Sequence, residues 1–196
     1  MKPVKYSLLL VIGLLVLASC SEKQKPKGDL AEHRKETHEH MLSDKSPIPE
    51  EERKNFLGLN YYPGNPQFAV RAKFDVLFNG EVITFETNTD RRPRYQKYAR
   101  MDFLIGDTAC TLFAYKALDH EEEGLFVPFT DLTNGNGSYA TGRYLDVSIP
   151  EGDSLTLDFN KSYNPYCAYN DRYSCPVPPQ DNQLVVHLLA GEKKYH

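Results

Sequence analysis

The stretch Phe68-Ala-Val-Arg-Ala-Lys-Phe-Asp-Val-Leu-Phe-Asn-Gly80 decides the fold. Phe68, Val70, Ala72 and Phe74 alternate with polar or charged neighbours, the period of a strand with one covered face. Asn79-Gly80 is a strong hairpin signal, and Val82 to Thr87 reads as the returning partner strand. Beyond it the same grammar repeats. Thr89 to Arg94 is a charged turn, Tyr95 to Ile105 a strand, Gly106-Asp107 a turn and Ala109 to Ala117 a further strand. In that last strand Cys110, Leu112, Ala114 and Lys116 share one face, opposite Thr111, Phe113 and Tyr115. Short strands with tight turns at near-regular spacing predict an antiparallel meander that curls or closes.

Downstream, Leu125 to Asp131 is apolar and then abruptly polar, and Asn134-Gly-Asn-Gly137 is a turn. Strands are expected over Tyr139 to Leu145 and Leu155 to Phe159. The predicted fold is mainly β: an antiparallel sheet curled into a roll or small barrel, with short N-terminal helices across it.

Upstream the pattern changes. Lys2 and Lys5 precede the apolar run Leu8 to Leu17, the layout of a signal peptide. At about ten to a dozen apolar residues the run is too short to span a bilayer as a mature helix. Leu17-Ala-Ser-Cys20 resembles the bacterial lipobox, which implies cleavage after residue 19 and acylation (palmitate-type) of Cys20. Ser21, where an inner-membrane retention signal usually shows Asp, favours the outer membrane of a bacterial cell envelope. The expected organisation is a signal peptide over 1–19, a tether over 20–28, a helical segment over 29–57 and a β domain over 58–196.

Within the helical segment, Asp29 to Leu42 has few apolar positions and should dock weakly. His33 and His40 share a face there, but no further ligand completes a metal site, so no metal and no cofactor is expected. A second short helix starts at Ser46-Pro-Ile-Pro49, where Glu50 to Glu52 meet the positive end of its dipole. The chain carries a formal charge of -4 and no long basic stripe, which argues against a nucleic-acid partner. Arg91, Arg92, Arg94 and Arg100 form only a local cluster, read as a solvated hairpin tip.

The densest polar and aromatic stretch is Leu157-Asp-Phe-Asn-Lys-Ser-Tyr-Asn-Pro-Tyr-Cys-Ala-Tyr169, followed by Cys175-Pro-Val-Pro-Pro179. With Leu125-Phe-x-Pro-Phe-x-Asp131, Gly142-Arg-Tyr-Leu145, Asn182-x-Leu184 and Ala190-Gly-Glu-Lys193, it resembles the bacterial family known as domain of unknown function 1684. The resemblance spans about Ser46 to Lys194 in outline and implies a domain assignment without an activity.

From the residues themselves, Asp158 alternates with Leu157 and Phe159 and so points away from them, with Arg143 as a plausible partner. One reading is a cleft in which Arg143 holds an anion while Asp158 or Glu192 acts as general base. The other is a structural network, with Asn160 and Asn164 satisfying loop backbone groups and Arg143 pairing with Asp158. Cys167 and Cys175, eight positions apart, suit a disulfide worth roughly 2–3 kcal/mol in an exported protein. A nucleophilic cysteine assisted by His187 is the sharper alternative, and Cys110 is expected as a buried unpaired thiol.

Two functions stay open. One is an envelope lipoprotein held by its lipid anchor, a binding or accessory module for a small molecule or envelope protein, using the surface around Tyr163, Asn164 and Tyr169. The other is a hydrolase-like enzyme with Asp158, Arg143 and Glu192, acting on an envelope small molecule or glycan. Convergence of those three side chains on one pocket separates them.

Overall fold

The computed structural model describes residues 30–120 and 123–196. The expected signal peptide, Cys20 and the tether lie outside them. Seven strands form one sheet: β1 (Ala69–Val76), β2 (Val82–Thr84), β3 (Arg94–Ile105), β4 (Thr108–Ala117), β5 (Leu125–Phe129), β6 (Arg143–Val147) and β7 (Ser154–Asp158). Six run in the order β6-β5-β4-β3-β1-β7, all antiparallel, as a curled half-barrel. The mainly-β expectation is therefore met, and the sheet ends at β6 on one side and β7 on the other.

The hairpin at Asn79-Gly80 is where the structure departs from the expected pairing. β2 does not return along β1. Both lie end to end along the same edge of β3, with Val76 opposite Ala99 and Val82 opposite Gln96. Between them the chain loops out: Leu77 donates to the Tyr98 carbonyl, and Lys97 donates to the Glu81 carbonyl. The turn signal was genuine, since Asn79 has φ 62° and Gly80 N–H closes the turn on Leu77 O at 3.0 Å. It makes a looped-out turn, which leaves Phe78 91% exposed.

The register of β3 slips opposite this loop, between Lys97 and Ala99. One extra residue in a strand reverses which face its alternate side chains meet. Tyr95 thus packs on one face of the sheet while Ala99, Met101 and Phe103 pack on the other. Both faces are consequently covered. The larger core joins Phe74, Met101, Leu112, Val127, Leu157 and Phe159; the second is aromatic, with Phe85, Tyr95, Tyr115, Phe126 and Tyr144. β5 contributes Leu125, Val127 and Phe129 to one core and Phe126 to the other, which is why it reads as an unbroken apolar run.

Beyond Tyr115 and Phe126 the ladder between β4 and β5 is not continued, and Pro128 has no N–H to offer it. Asn182, fully buried, fills the gap. Its Nδ2 donates to Phe113 O at 2.9 Å and Pro128 O at 2.7 Å, and its Oδ1 accepts from Phe113 N–H at 2.7 Å.

The helices are α1 (Leu30–Leu42) and α2 (Glu50–Arg53). Only Met41 of α1 is buried, so the helix docks weakly, as its composition implies. It rests beside the 3-10 turn Phe159–Lys161, tied by Arg34 donating to Tyr62 O at 2.8 Å and by His40 bonded to the Tyr166 hydroxyl at 3.0 Å.

Candidate functional site

Arg143 does not pair with Asp158. It is fully buried at the start of β6, and its Nη2 donates to Asp131 Oδ2 at 2.8 Å, both side chains being sealed from solvent. The same guanidinium donates to the carbonyls of Leu188 at 3.0 Å, Glu192 at 3.2 Å and Ala190. Asp131 in turn accepts from the N–H groups of Thr133 at 2.8 Å and Leu188 at 3.2 Å through Oδ1. The ion pair thus clamps the C-terminal tail onto the sheet. With both side chains sealed from solvent, the anion-holding role expected of Arg143 is corrected to a structural one. Buried charges persist when paired and hydrogen-bonded in this way.

Asp158 is also elsewhere. Its Oδ1 accepts from the N–H of Asn160 at 3.1 Å and from Asn160 Nδ2 at 2.8 Å, capping the 3-10 turn. Asn160 copies a strand partner for the Pro63–Pro66 turn: its Oδ1 accepts from Asn65 N–H, and its Nδ2 donates to Asn65 O, both at 2.9 Å. For Asp158 and Asn160 the structural-network reading describes the geometry, with the partner of Arg143 corrected.

Glu192 is different. It is 1% exposed, and its Oε2 accepts from Asn164 N–H at 2.8 Å and the Tyr169 hydroxyl at 2.5 Å. Burial pushes its carboxyl up from an ordinary 4.5 to about 7, with those two bonds and nearby Arg143 opposing the rise. Burial and the carboxylate together hold the Tyr169 phenol well above its usual range. What brings Glu192 here is Gly191. Its φ is +72°, and a Cβ there would lie 2.0 Å from Ser162 Oγ and 2.6 Å from Ser162 O. Only glycine lets the tail approach this closely, after which Glu192 N–H donates to Ser162 O at 2.9 Å.

Glu192 lines a cleft of about 760 Å³ between α1, the aromatic face of the sheet and the Tyr163–Pro176 segment. Tyr163, Asn164 and Tyr166 line it as well, and so do Tyr144, Phe126 and Cys175. Asp158, Arg143 and Tyr169 do not. α1 presents His33, Thr37 and His40, the helical face on which His33 and His40 were expected to coincide. Burial, then nearby Lys161, lowers the pKa of His33. Among the described residues no cluster of three or more His, Cys, Asp or Glu could hold a metal ion.

The Tyr163 backbone is hydrogen-bonded in both directions to Tyr144, at 2.9 and 3.0 Å, and its hydroxyl donates to Asp146 at 2.8 Å. The Tyr144 hydroxyl donates to Pro176 O at 2.5 Å, and burial raises its pKa. These contacts fix the aromatic wall. The outward side chains of Phe126 and Tyr144 escaped sequence reading because neighbouring core positions are equally apolar; only the alternation Leu125, Phe126, Val127 marks them.

The expected Cys167–Cys175 disulfide is absent, and both residues are free thiols, as is Cys110. They stand side by side as a hydrogen-bonded pair: Cys167 N–H donates to Cys175 Sγ at 3.1 Å, and the Tyr139 hydroxyl is 3.8 Å from Cys167 Sγ. The side-chain contact with Cys175, then the Tyr139 hydroxyl, lower the Cys167 thiol to about 7 against the effect of burial, while the same pairing raises Cys175. His187 lies on an exposed position of the tail, alternating with buried Leu188.

The profile of the family described as Protein of unknown function (DUF1684) matches residues 54–193. The chain belongs to this family. α1 lies before the matched region, so this family region supplies the cleft's aromatic wall and Glu192, and the N-terminal segment adds the helical wall. The fold is similar to the solution NMR structure of an uncharacterized protein of Haloarcula marismortui, with 39% identity and a TM-score of 0.68 over 84% of this chain and 91% of that one. No curated protein matches.

Proposed function

We propose that the protein is an envelope lipoprotein, anchored at the outer membrane through acylated Cys20, whose domain binds a small molecule in the cleft beside Tyr163, Asn164 and Tyr166. The cleft carries the reading. Its volume of about 760 Å³ falls within the roughly 300–1,000 Å³ of small-molecule sites, and its floor is apolar with a few buried polar groups. The hydrolase-like alternative needs Asp158, Arg143 and Glu192 around one substrate. Arg143 is committed to Asp131, Asp158 caps a turn, and Glu192 alone reaches the cleft.

Two measurements test the two halves. In a small-molecule screen by NMR, hits should perturb resonances of Tyr163, Tyr166 and His40, and Tyr166→Ala should weaken them; hits mapping only to other surfaces refute the binding site. Cys20→Ser should move the protein from the membrane to the soluble fraction. Retention in the membrane refutes the anchor.

A further inference from the structure

The inner wall of the cleft is lined by Glu192 and Asn164, and among the described residues nothing donates to the buried Asn164 Oδ1. Two hydrogen bonds to the Glu192 carboxyl, from Asn164 N–H and the Tyr169 hydroxyl, end on Oε2. Asn164, 2% exposed, spends its Nδ2 on Lys193 O at 2.8 Å, and its Oδ1 has no donor. A buried acceptor left unpaired costs about 1–3 kcal/mol, so Asn164 Oδ1, on the residue whose N–H bonds the Glu192 carboxyl, marks a place for a donor. An ammonium is all donor, with three N–H groups and no acceptor.

The surroundings agree in sign. Phe126 and Tyr144 put aromatic rings in the lining, a residue type whose faces attract cations. Glu36, Glu123 and Asp146 add carboxylates to the lining, against the single guanidinium of Arg91. The charged and titratable groups nearest Glu192 are Arg143, Tyr169 and Tyr61, with Arg34 over the Tyr61 ring at 4.4 Å. Arg143 already answers Asp131, so it is not the counter-ion of the Glu192 carboxylate.

We propose that the cleft takes a small organic cation, a primary ammonium on an aryl or alkyl body, with its head group at Glu192 and Asn164 and its body against Phe126 and Tyr144. This rests on the cleft being a binding site. Binding is then coupled to a proton. Below pH 7 the arriving ammonium displaces the proton of Glu192, so affinity rises with pH. With the carboxyl at about 7, the share ionised grows about tenfold from pH 6 to pH 8. His33, His40 and His120 also line the cleft. The Glu192 share is what Glu192→Gln removes.

The test is calorimetric titration of the purified protein with benzylamine, benzyl alcohol and benzoate at pH 6 and pH 8, in buffers of differing ionisation enthalpy. Benzylamine should bind at least about tenfold more tightly than benzyl alcohol at pH 8 and release protons at pH 6, and Glu192→Gln should erase the preference. The proton release is read on the unaltered protein, so the test stands even where the variant misfolds. Equal binding of alcohol and amine, or tightest binding of benzoate, overturns the cation while leaving the binding site intact. No binding of any of the three at tens of millimolar overturns both.

Discussion

Removing the Arg143 side chain tests whether the buried clamp is structural. Arg143→Met keeps much of the volume and deletes every N–H donor. It leaves Asp131 as an isolated charge with its side chain wholly sealed from solvent, and strips a donor from the carbonyls of Leu188, Ala190 and Glu192. Breaking a buried pair from one side costs about 3–5 kcal/mol. Against a domain stability of about 5–15 kcal/mol, that is a large share. With a urea dependence of about 2 kcal/mol per molar, the unfolding midpoint should fall by about 2 M. Adding Asp131→Asn removes the stranded charge, while Asn Oδ1 can still accept from Thr133 and Leu188. The double variant should therefore be less damaged than the sum of the singles, by about 1–2 kcal/mol of coupling. Urea titrations of the four proteins, followed by far-ultraviolet circular dichroism, give both numbers. A midpoint for Arg143→Met within about 0.3 M of the unaltered protein, or strictly additive variants, refutes the clamp.

Three further outcomes are expected. Glu192 has a carboxyl pKa raised from 4.5 to about 7, so the folded state holds its proton more tightly than the unfolded state does. Its contribution is fully present below about pH 4.5 and lost as pH rises through 7, a difference of about 3 kcal/mol. Stability curves against pH for the unaltered protein and Glu192→Gln should diverge across that window, and parallel curves refute the assignment. Gly191→Ala places a Cβ 2.0 Å from Ser162 Oγ and 2.8 Å from Phe159 O at positive φ. Strain of about 1–3 kcal/mol should lower the melting temperature by about 5–10 °C in differential scanning calorimetry, and an unchanged melting temperature contradicts the close approach. Cys167, lowered to about 7 and half-buried, should be alkylated by iodoacetamide at pH 7.5 ahead of Cys175 and Cys110, whose thiols are raised. Peptide mass spectrometry reads the order; equal rates refute it.

How far the molecule could be read in advance varies residue by residue. The Tyr95–Ile105 and Ala109–Ala117 strands were expected to within a residue, and their Gly106-Asp107 turn joins them as a hairpin. Period-two alternation and a two-residue turn are local signals, and local sequence carries them in full. Asn79-Gly80 shows the limit. The turn formed, but whether the chain then returned along β1 or continued beside β3 depended on the opposite strand, where the register slips at Lys97 and Ala99. Asn160 was legible as a backbone-satisfying residue, although its partner Asn65 lies 95 positions away.

By itself the sequence determined the mainly-β class, the hairpin of β3 and β4, the weak amphipathicity of α1 and the membership of a family. It marked Arg143, Asp158 and Glu192 as polar residues in apolar settings. Only the tertiary structure decided that they part company, one to a sealed ion pair, one to a cap and one to a cleft wall. The reason is physical. Alternation reports which side of a strand a residue faces, whereas the partner it meets depends on where distant loops and the tail are laid over that side. Arg143 meets Asp131 of the segment between β5 and β6, and it meets Leu188, as Glu192 meets Asn164 and Tyr169, because the chain after β7 folds back over the sheet.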